Sequence, residues 1–226
     1  MKKFTIILLF IFISNFCNAE HYFIPENNKI IFDIIRKNKS IGTHSIFFNK
    51  NNEYTNVKIE VDIKVKIGFL TVYKYSHNNN ERWSGNELYE IQTKSITNSK
   101  KKYNVKGKRI NNIFEFIGVD GKQNTNKNVI PISYWNKSLI ERNEFLDSQK
   151  GIIRKSKIKF ISEEQIKYKN KNFKTKKYEF LVLTKHSSDE KPFPIIYLWY
   201  TEIGELMKLQ FDSPEDNSII EYVRVE

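Results

Sequence analysis

The sequence predicts an all-β fold: a single antiparallel β-barrel or strongly curved half-barrel with one short helix, preceded by an N-terminal signal peptide. Three observations carry this expectation. The stretch VKIEVDIKVKI puts Val57, Ile59, Val61, Ile63, Val65 and Ile67 on one side of an extended chain and charged residues on the other, because side chains alternate faces along a strand. Similar period-two segments follow one another along the chain, with turn-forming residues between them. Only one segment has helical spacing, and one short helix cannot cover about a dozen strands, so the sheet must curl on itself or pack on a second sheet. Six buried Val and Ile side chains represent on the order of 9–18 kcal/mol gross, comparable with the net stability of a whole domain. The wall is therefore expected to face a barrel interior, with Gly68 marking a kink or bulge where the long strand bends.

The first element is a leader. Lys2 and Lys3 precede an apolar run from Phe4 to Phe16, and Ala19 is suited to the last position before a cleavage site. This is the layout of a secretory signal peptide over residues 1–19, and it implies export to the periplasm. The run is shorter than the ~20 residues that a spanning helix needs. Residues Ser14, Asn15 and Phe16 ahead of Cys17 do not resemble a lipidation site. Residues 20–226 are expected to form one barrel-like domain. Cys17 is the only cysteine and leaves with the leader, so neither a disulfide framework nor a thiolate metal site is expected.

The strands follow in order: residues 29–36, 40–48, 54–67, 69–76, 81–83, 88–97, 103–110 and 113–119, then 152–161, 173–183, 195–201, 206–211 and 219–225. Asn49 to Asn52, Asn78 to Asn80, Gly85-Asn86, Asp120-Gly121, Ile203-Gly204 and Ser213 to Asn217 read as the turns between them. The helix is expected at SLIERNEFLD, Ser138 to Asp147, where Ser138 and Glu141 fit a capping box.

The formal charge is +12. Leaving out Lys2 and Lys3 gives a mature form at +10, with 36 Lys and Arg against 26 Asp and Glu. The excess is Lys rather than Arg and comes with abundant Asn and Ile, so nucleic acid is not expected as a partner. Positive charge instead favours solubility or attraction to an anionic membrane surface. The basic tracts at 99–109 and 154–177 fit the solvated face of strands better than a membrane contact.

The spacings of common catalytic and metal motifs are absent, so no cofactor and no metal are expected. Candidates for chemistry are dispersed. The mature histidines are His21, His44, His77 and His186. His44, in IGTHSIFF, shares a face with Gly42 and Ile46. An inward imidazole there suits a general base or a ligand contact, and equally a neutral histidine bonded to a neighbouring strand. Glu81 and Trp83 alternate on one face, so the carboxylate fits a ligand contact, a raised pKa or a cross-strand ion pair. Ser133-Tyr134-Trp135-Asn136 concentrates aromatics in a loop, either as a lid over the open end or as a plug. Asp147, in DSQKG, is a further candidate or simply ends the helix ahead of Gly151. Leu198-Trp199-Tyr200 lies in a strand, its aromatics divided between core and ligand. Trp83, Tyr134, Trp135, Tyr73 and Trp199 are the candidate ligand contacts.

Several of these segments, in the same order, resemble a bacterial family known only as domain of unknown function 6134: IGTH at 41–44, GFLTVYKYSH at 68–77, ERW at 81–83, SYWN at 133–136, DSQKG at 147–151, and LWY at 198–200 followed by Gly204. The resemblance implies an exported bacterial protein of one β-rich domain and supplies no mechanism. TEIGEL at 201–206 departs from the pattern, which has an acidic residue directly after the position of Tyr200.

The leading expectation for function is a monomeric periplasmic binding or carrier protein whose interior receives a lipid or other apolar small molecule. An envelope enzyme is the alternative, with His44, Glu81 and Asp147 converging on a cleft beside Trp83 and Trp135. A third is an assembly factor that uses its basic face or a strand edge.

Overall fold

A computed structural model describes residues 22–226. The expected leader, and His21, lie outside the described residues. The described chain forms fourteen strands: β1 (Lys29–Arg36), β2 (Lys39–Lys50), β3 (Thr55–Ile67), β4 (Leu70–Ser84), β5 (Glu87–Thr97), β6 (Lys101–Ile110), β7 (Ile113–Gly118), β8 (Gly121–Thr125), β9 (Glu144–Asp147), β10 (Ile152–Tyr168), β11 (Lys171–Val182), β12 (Ile196–Tyr200), β13 (Leu206–Asp212) and β14 (Ile219–Arg224). All pair antiparallel in one sheet, ordered 8-7-6-5-4-3-2-1-14-13-12-11-10-9. Two meanders thus meet where β1 pairs with the last strand. The fold is all-β and barrel-like, as expected.

The chain leaves the sheet at one edge, β8, and returns at the other, β9. Those edges do not pair as strands; the sheet is sealed by its turns. Val119 N–H donates to the Lys150 carbonyl at 2.8 Å, and the Thr93 hydroxyl donates to the Ser148 carbonyl at 2.6 Å. Gly118 and Gly151 lie back to back: a Cβ on Gly151 would fall 2.7 Å from the Gly118 Cα, and one on Gly118 would fall 2.3 Å from the Lys150 carbonyl oxygen. Gly151 also has φ +65°, where a side chain would be strained. Asp147 holds this seam, accepting from the backbone N–H groups of Gln149 and Lys150 and from Arg154 Nε at 2.8 Å. Arg154 is fully buried and also donates to Glu190 at 2.8 Å, tying the connection before β12 to the same point. Desolvation opposes ionisation of Glu190, but hydrogen bonds from Arg154, His186 and Lys150 hold it down to about 2.

Fourteen strands enclose more space than the eight or so whose own side chains can fill a barrel. The connection from β8 to β9 fills part of the remainder. Within it Trp135 packs edge-on against Trp83, Phe48 and Tyr22, and Leu139 and Ile140 are buried in the core. The SYWN segment is therefore a plug rather than a lid. Tyr134 holds it with φ +63°, unusual for an aromatic residue, and its carbonyl accepts from the Tyr200 hydroxyl at 2.6 Å.

Four expectations about elements need correction. The helix over 138–147 is a short 3-10 turn, Lys137–Glu141, followed by strand β9. Asn136, not Ser138, is its N-cap, accepting from Ser138 N–H, and Phe145, Leu146 and Asp147 are all buried, as an inner edge strand requires. Asn78 to Asn80 do not turn but continue β4, because Asn79 points inward to a hydrogen-bond partner while Asn78 and Asn80 face solvent. Gly68 sits in the β3–β4 turn with φ +58° rather than at a bend; the irregularity falls at Val65/Lys66. The short strand β8 lies outside the strands the sequence predicts, since GKQNT offers no apolar alternation.

Candidate functional site

The β-branched stripe of β3 faces inward, and from Val57 to Val65 each of its members sits opposite a polar or aromatic residue of β4, Ile67 alone meeting Leu70. Val65 pairs with Tyr73, Ile63 with Tyr75, Val61 with His77, Ile59 with Asn79, Val57 with Glu81 and Thr55 with Trp83. The interior thus has an aliphatic wall beside a hydrogen-bonding wall. Burial changes along the stripe. Val57 and Ile59 are fully buried, Val61 and Ile63 partly so, and Ile67 is 70% exposed.

The lower part is filled and knotted around Glu81. Its carboxyl accepts from Trp83 Nε1 at 2.9 Å, Trp135 Nε1 at 3.0 Å and Asn79 Nδ2 at 2.7 Å. Desolvation raises its pKa and these hydrogen bonds lower it, with a net upward shift. The expectation of a carboxylate beside an indole is met twice over, by two tryptophans and no cation.

The upper part is hollow. A cavity of about 1300 Å³ is lined on one side by Ile59, Val61, Ile63 and Val65, and across it by Ile196, Leu209, Phe211 and Ile220. Its polar lining includes His44, Tyr73, Tyr75, His77, Asn79, Ser133, Tyr134, Asp147 and Tyr222, with Arg36, Lys37, Lys39, Lys64, Lys66, Glu215 and Asp216 toward the turns. Two of these groups are incompletely bonded: Asn79 Oδ1 has no partner, and on the same surface His44 has none at either ring nitrogen, though both residues are almost fully buried. The His44 ring lies between Phe32 and Tyr222. Burial, with the nearby His77, lowers its pKa to about 3. Burial likewise lowers His77 to about 4, Asp147 acting in the opposite sense, and His77 Nδ1 lies 2.7 Å from the Ser95 hydroxyl. Both imidazoles are neutral at pH 7. Buried polar atoms without partners cost stability; these atoms have almost no surface of their own although their residues line the hollow, so a bound molecule reaches them only with a small side-chain shift.

Residues 32–225 match the profile described as Domain of unknown function (DUF6134). The chain belongs to this family. Among solved structures this DUF6134 chain is similar to a β-barrel-like protein of domain of unknown function DUF1849 from Brucella abortus, at 10% identity, with a TM-score of 0.62, over 88% of this chain and 95% of that one. At that identity the likeness shows the fold alone. No curated protein matches the chain.

Within this DUF6134 fold the candidate residues separate. His44, Tyr73, Tyr134 and Asp147 line the cavity. Glu81, Trp83 and Trp135 form the packed knot beneath it. Trp199 lies on the outer face, its Nε1 donating to Glu164 at 2.7 Å and its ring covered by Lys177 and Lys208. His44 and Glu81 do not meet. The register sets Glu81 opposite Val57 and Phe48, four residues along β2 from His44, or ~13 Å at strand rise. Asp147 is engaged by Arg154. Among the described residues no group of His, Cys, Asp and Glu could hold a metal ion, and no helix is long and apolar enough to cross a membrane.

Sequence reasoning missed Tyr75, His77, Asn79 and Tyr222. The signal for three of them was available: Tyr73, Tyr75, His77, Asn79, Glu81 and Trp83 alternate without a break, and reading Asn78 to Asn80 as a turn cut that series in two.

Proposed function

We propose that this protein is an exported, non-catalytic binding or carrier protein for an amphipathic molecule, held in the hollow half of the barrel. The observation that carries the reading is the cavity itself: a long aliphatic wall ending on buried, unpartnered polar atoms. An apolar body laid along Val61, Ile63 and Val65 would recover the burial those residues lack. With a small shift of the His44 and Asn79 side chains its head group would meet a neutral imidazole, which can donate one hydrogen bond and accept another, and the acceptor Asn79 Oδ1. The cations that line the cavity, Arg36, Lys37, Lys39, Lys64 and Lys66, stand by the turns at its mouth rather than beside His44 and Asn79. An uncharged head that both gives and takes hydrogen bonds, a hydroxyl or an amide, fits better than a carboxylate or an ammonium, whose desolvation would find no counter-charge. The leader expected over residues 1–19 supports a periplasmic location. The enzymatic alternative finds no support in the separation of His44 from Glu81.

The test is a head-group series on one chain length. Monolauroylglycerol, dodecanoate and dodecyltrimethylammonium, each below its micelle concentration, are titrated into the mature protein by calorimetry. Saturable binding with the neutral amphiphile tightest is expected. Binding of none of the three, together with no copurifying amphiphile in native mass spectra, would remove the carrier reading; tighter binding of a charged member would remove the head-group assignment alone.

A further inference from the structure

The end of the barrel at which the cavity opens carries the β1–β2, β3–β4 and β5–β6 turns, because successive antiparallel hairpins return to the same end. At the β3–β4 turn the chain reads Ile67-Gly68-Phe69-Leu70, and it is the most exposed apolar segment of the described molecule. Phe69 is fully exposed, Leu70 is 74% exposed and Val72 nearly half. Nothing in the fold requires a phenylalanine there. Gly68 supplies the positive φ of the turn, and Phe69 beside it is buried against nothing. A cluster of large apolar side chains held at a hairpin tip marks a contact with something outside the molecule.

The charges around the tip say what that is. Lys64 and Lys66 flank it on β3, Lys74 follows on β4, Lys39 opens β2 after the neighbouring turn, Lys100 lies in the β5–β6 turn, and Lys101 and Lys102 open β6; all are exposed, and none forms an ion pair among the described residues. The acidic residues of the mouth are Glu215 and Asp216, and Asp216 is already paired with Arg36 and Lys37. The rim is thus a ring of uncompensated lysines around an apolar wedge. A second copy of the same rim would bring like charges together. An anionic lipid surface satisfies both parts at once, phosphates meeting the lysines and the wedge entering the head-group layer.

We propose that this rim is a membrane-docking surface for anionic lipid bilayers, with the Ile67–Val72 tip inserted and the cavity mouth facing the lipids. Ile67, Gly68 and Val72 line the mouth itself, so docking sets the hollow directly over the bilayer. The inference stands on the rim and does not depend on what the cavity holds.

The experiment is cosedimentation of the mature protein with vesicles of phosphatidylcholine alone and of phosphatidylcholine mixed with phosphatidylglycerol. Binding to the anionic vesicles should exceed binding to the neutral ones by about tenfold and fall with added salt. F69D/L70D should lose about tenfold in partitioning with an unchanged circular dichroism spectrum, since the tip contributes nothing to the core, and K64E/K66E should lose a similar factor. In an F69W variant, lipids brominated on their acyl chains should quench the new fluorescence. Equal partitioning of F69D/L70D and wild type, or no quenching of F69W, would overturn the proposal. So would a dimer that dissociates on F69D/L70D substitution while vesicles go unbound, which would assign the tip to a second copy of the chain.

Discussion

The two halves of the barrel interior are built from the same strands and obey different rules. Along β3 the alternation is unbroken from Val57 to Ile67, yet Val57 and Ile59 are sealed in the core while Val65 and Ile67 look onto space and solvent. The difference comes from what stands across from them. In the lower half, Trp83, Trp135, Phe48 and Tyr22 fill the lumen and Glu81 satisfies the indole N–H groups. In the upper half the connecting segments only line the space, Ser133 and Tyr134 at its edge, and polar groups are left without partners. Alternation in a strand specifies a face and a curvature; it does not specify whether the space behind that face is full. The filling came from a non-repetitive connection joining opposite edges of the sheet.

The sharpest break in this contrast should come from Glu81. In the variant Glu81→Leu, two indole N–H groups and the Asn79 amide lose their acceptor in a dry environment, and each orphaned donor costs roughly 1–3 kcal/mol. Relief of the buried carboxyl offsets part of this, so a net loss of about 3 kcal/mol is expected by urea denaturation, with the near-ultraviolet tryptophan signal altered in the native state. Retention of full stability would mean that the tryptophans and not the carboxyl organise the plug.

A second test uses one substitution at two heights. Ile46→Ala empties a packed site and should cost roughly 2–5 kcal/mol, as large-to-small changes in cores do. Ile63→Ala removes the same atoms from the wall of an existing hollow and should cost less than about 1 kcal/mol, because little packing is lost there. Equal losses at the two positions would show that the upper half is packed in solution, and the proposed container would go with it.

How far the sequence foretold this architecture follows from the same contrast. Turn residues and β-branched alternation are local signals, so the strands, the curl and the inward stripe were legible at Val57 to Ile67. The plug was less so. Trp135 and Tyr134 were visible as a concentration of aromatics, but whether they closed the mouth or filled the floor depended on the connection from β8 to β9 crossing the lumen, a contact between residues far apart in sequence. The pairing of Glu81 with Trp135 and the closure of Gly118 on Gly151 are equally non-local. Ser138 with Glu141 imitates a capping box, and the burial of Phe145 and Leu146 in an edge strand overrode it.

Acid should separate the halves by a different route. His44 and His77 titrate at about 3 and about 4 in the fold, depressed from 6.5 by burial, with His77 also acting on His44. The unfolded chain takes up their protons first. The stability they hold is therefore fully present above pH 6.5 and is lost as pH falls from 6.5 towards 4, at about 1.4 kcal/mol per pH unit for each histidine. Glu81 works in the opposite sense, its raised pKa favouring the fold at low pH and withdrawing that contribution as pH rises through the folded value. Denaturant midpoints at pH 7, 6 and 5 should decline, and the decline should flatten in a His44→Leu variant. A pH-independent midpoint would place both imidazoles in contact with water.

The smallest effect carries the most information about function. Leucine approximates the volume of histidine and asks for no partner, so His44→Leu removes a buried imidazole whose two nitrogens make no hydrogen bond. The variant should be more stable than the parent by about 1 kcal/mol, a rise in Tm of roughly 2–4 °C for a chain of this size. A polar group that costs the fold stability and sits beside a hollow is understandable if a ligand, with a small shift of the side chain, supplies the missing bonds, since functional sites are where local rules are broken. The same variant should therefore bind the neutral amphiphile more weakly while melting higher. A lower Tm would show that the fold itself satisfies His44, and the argument for a head-group site at the floor of the cavity would fail with it.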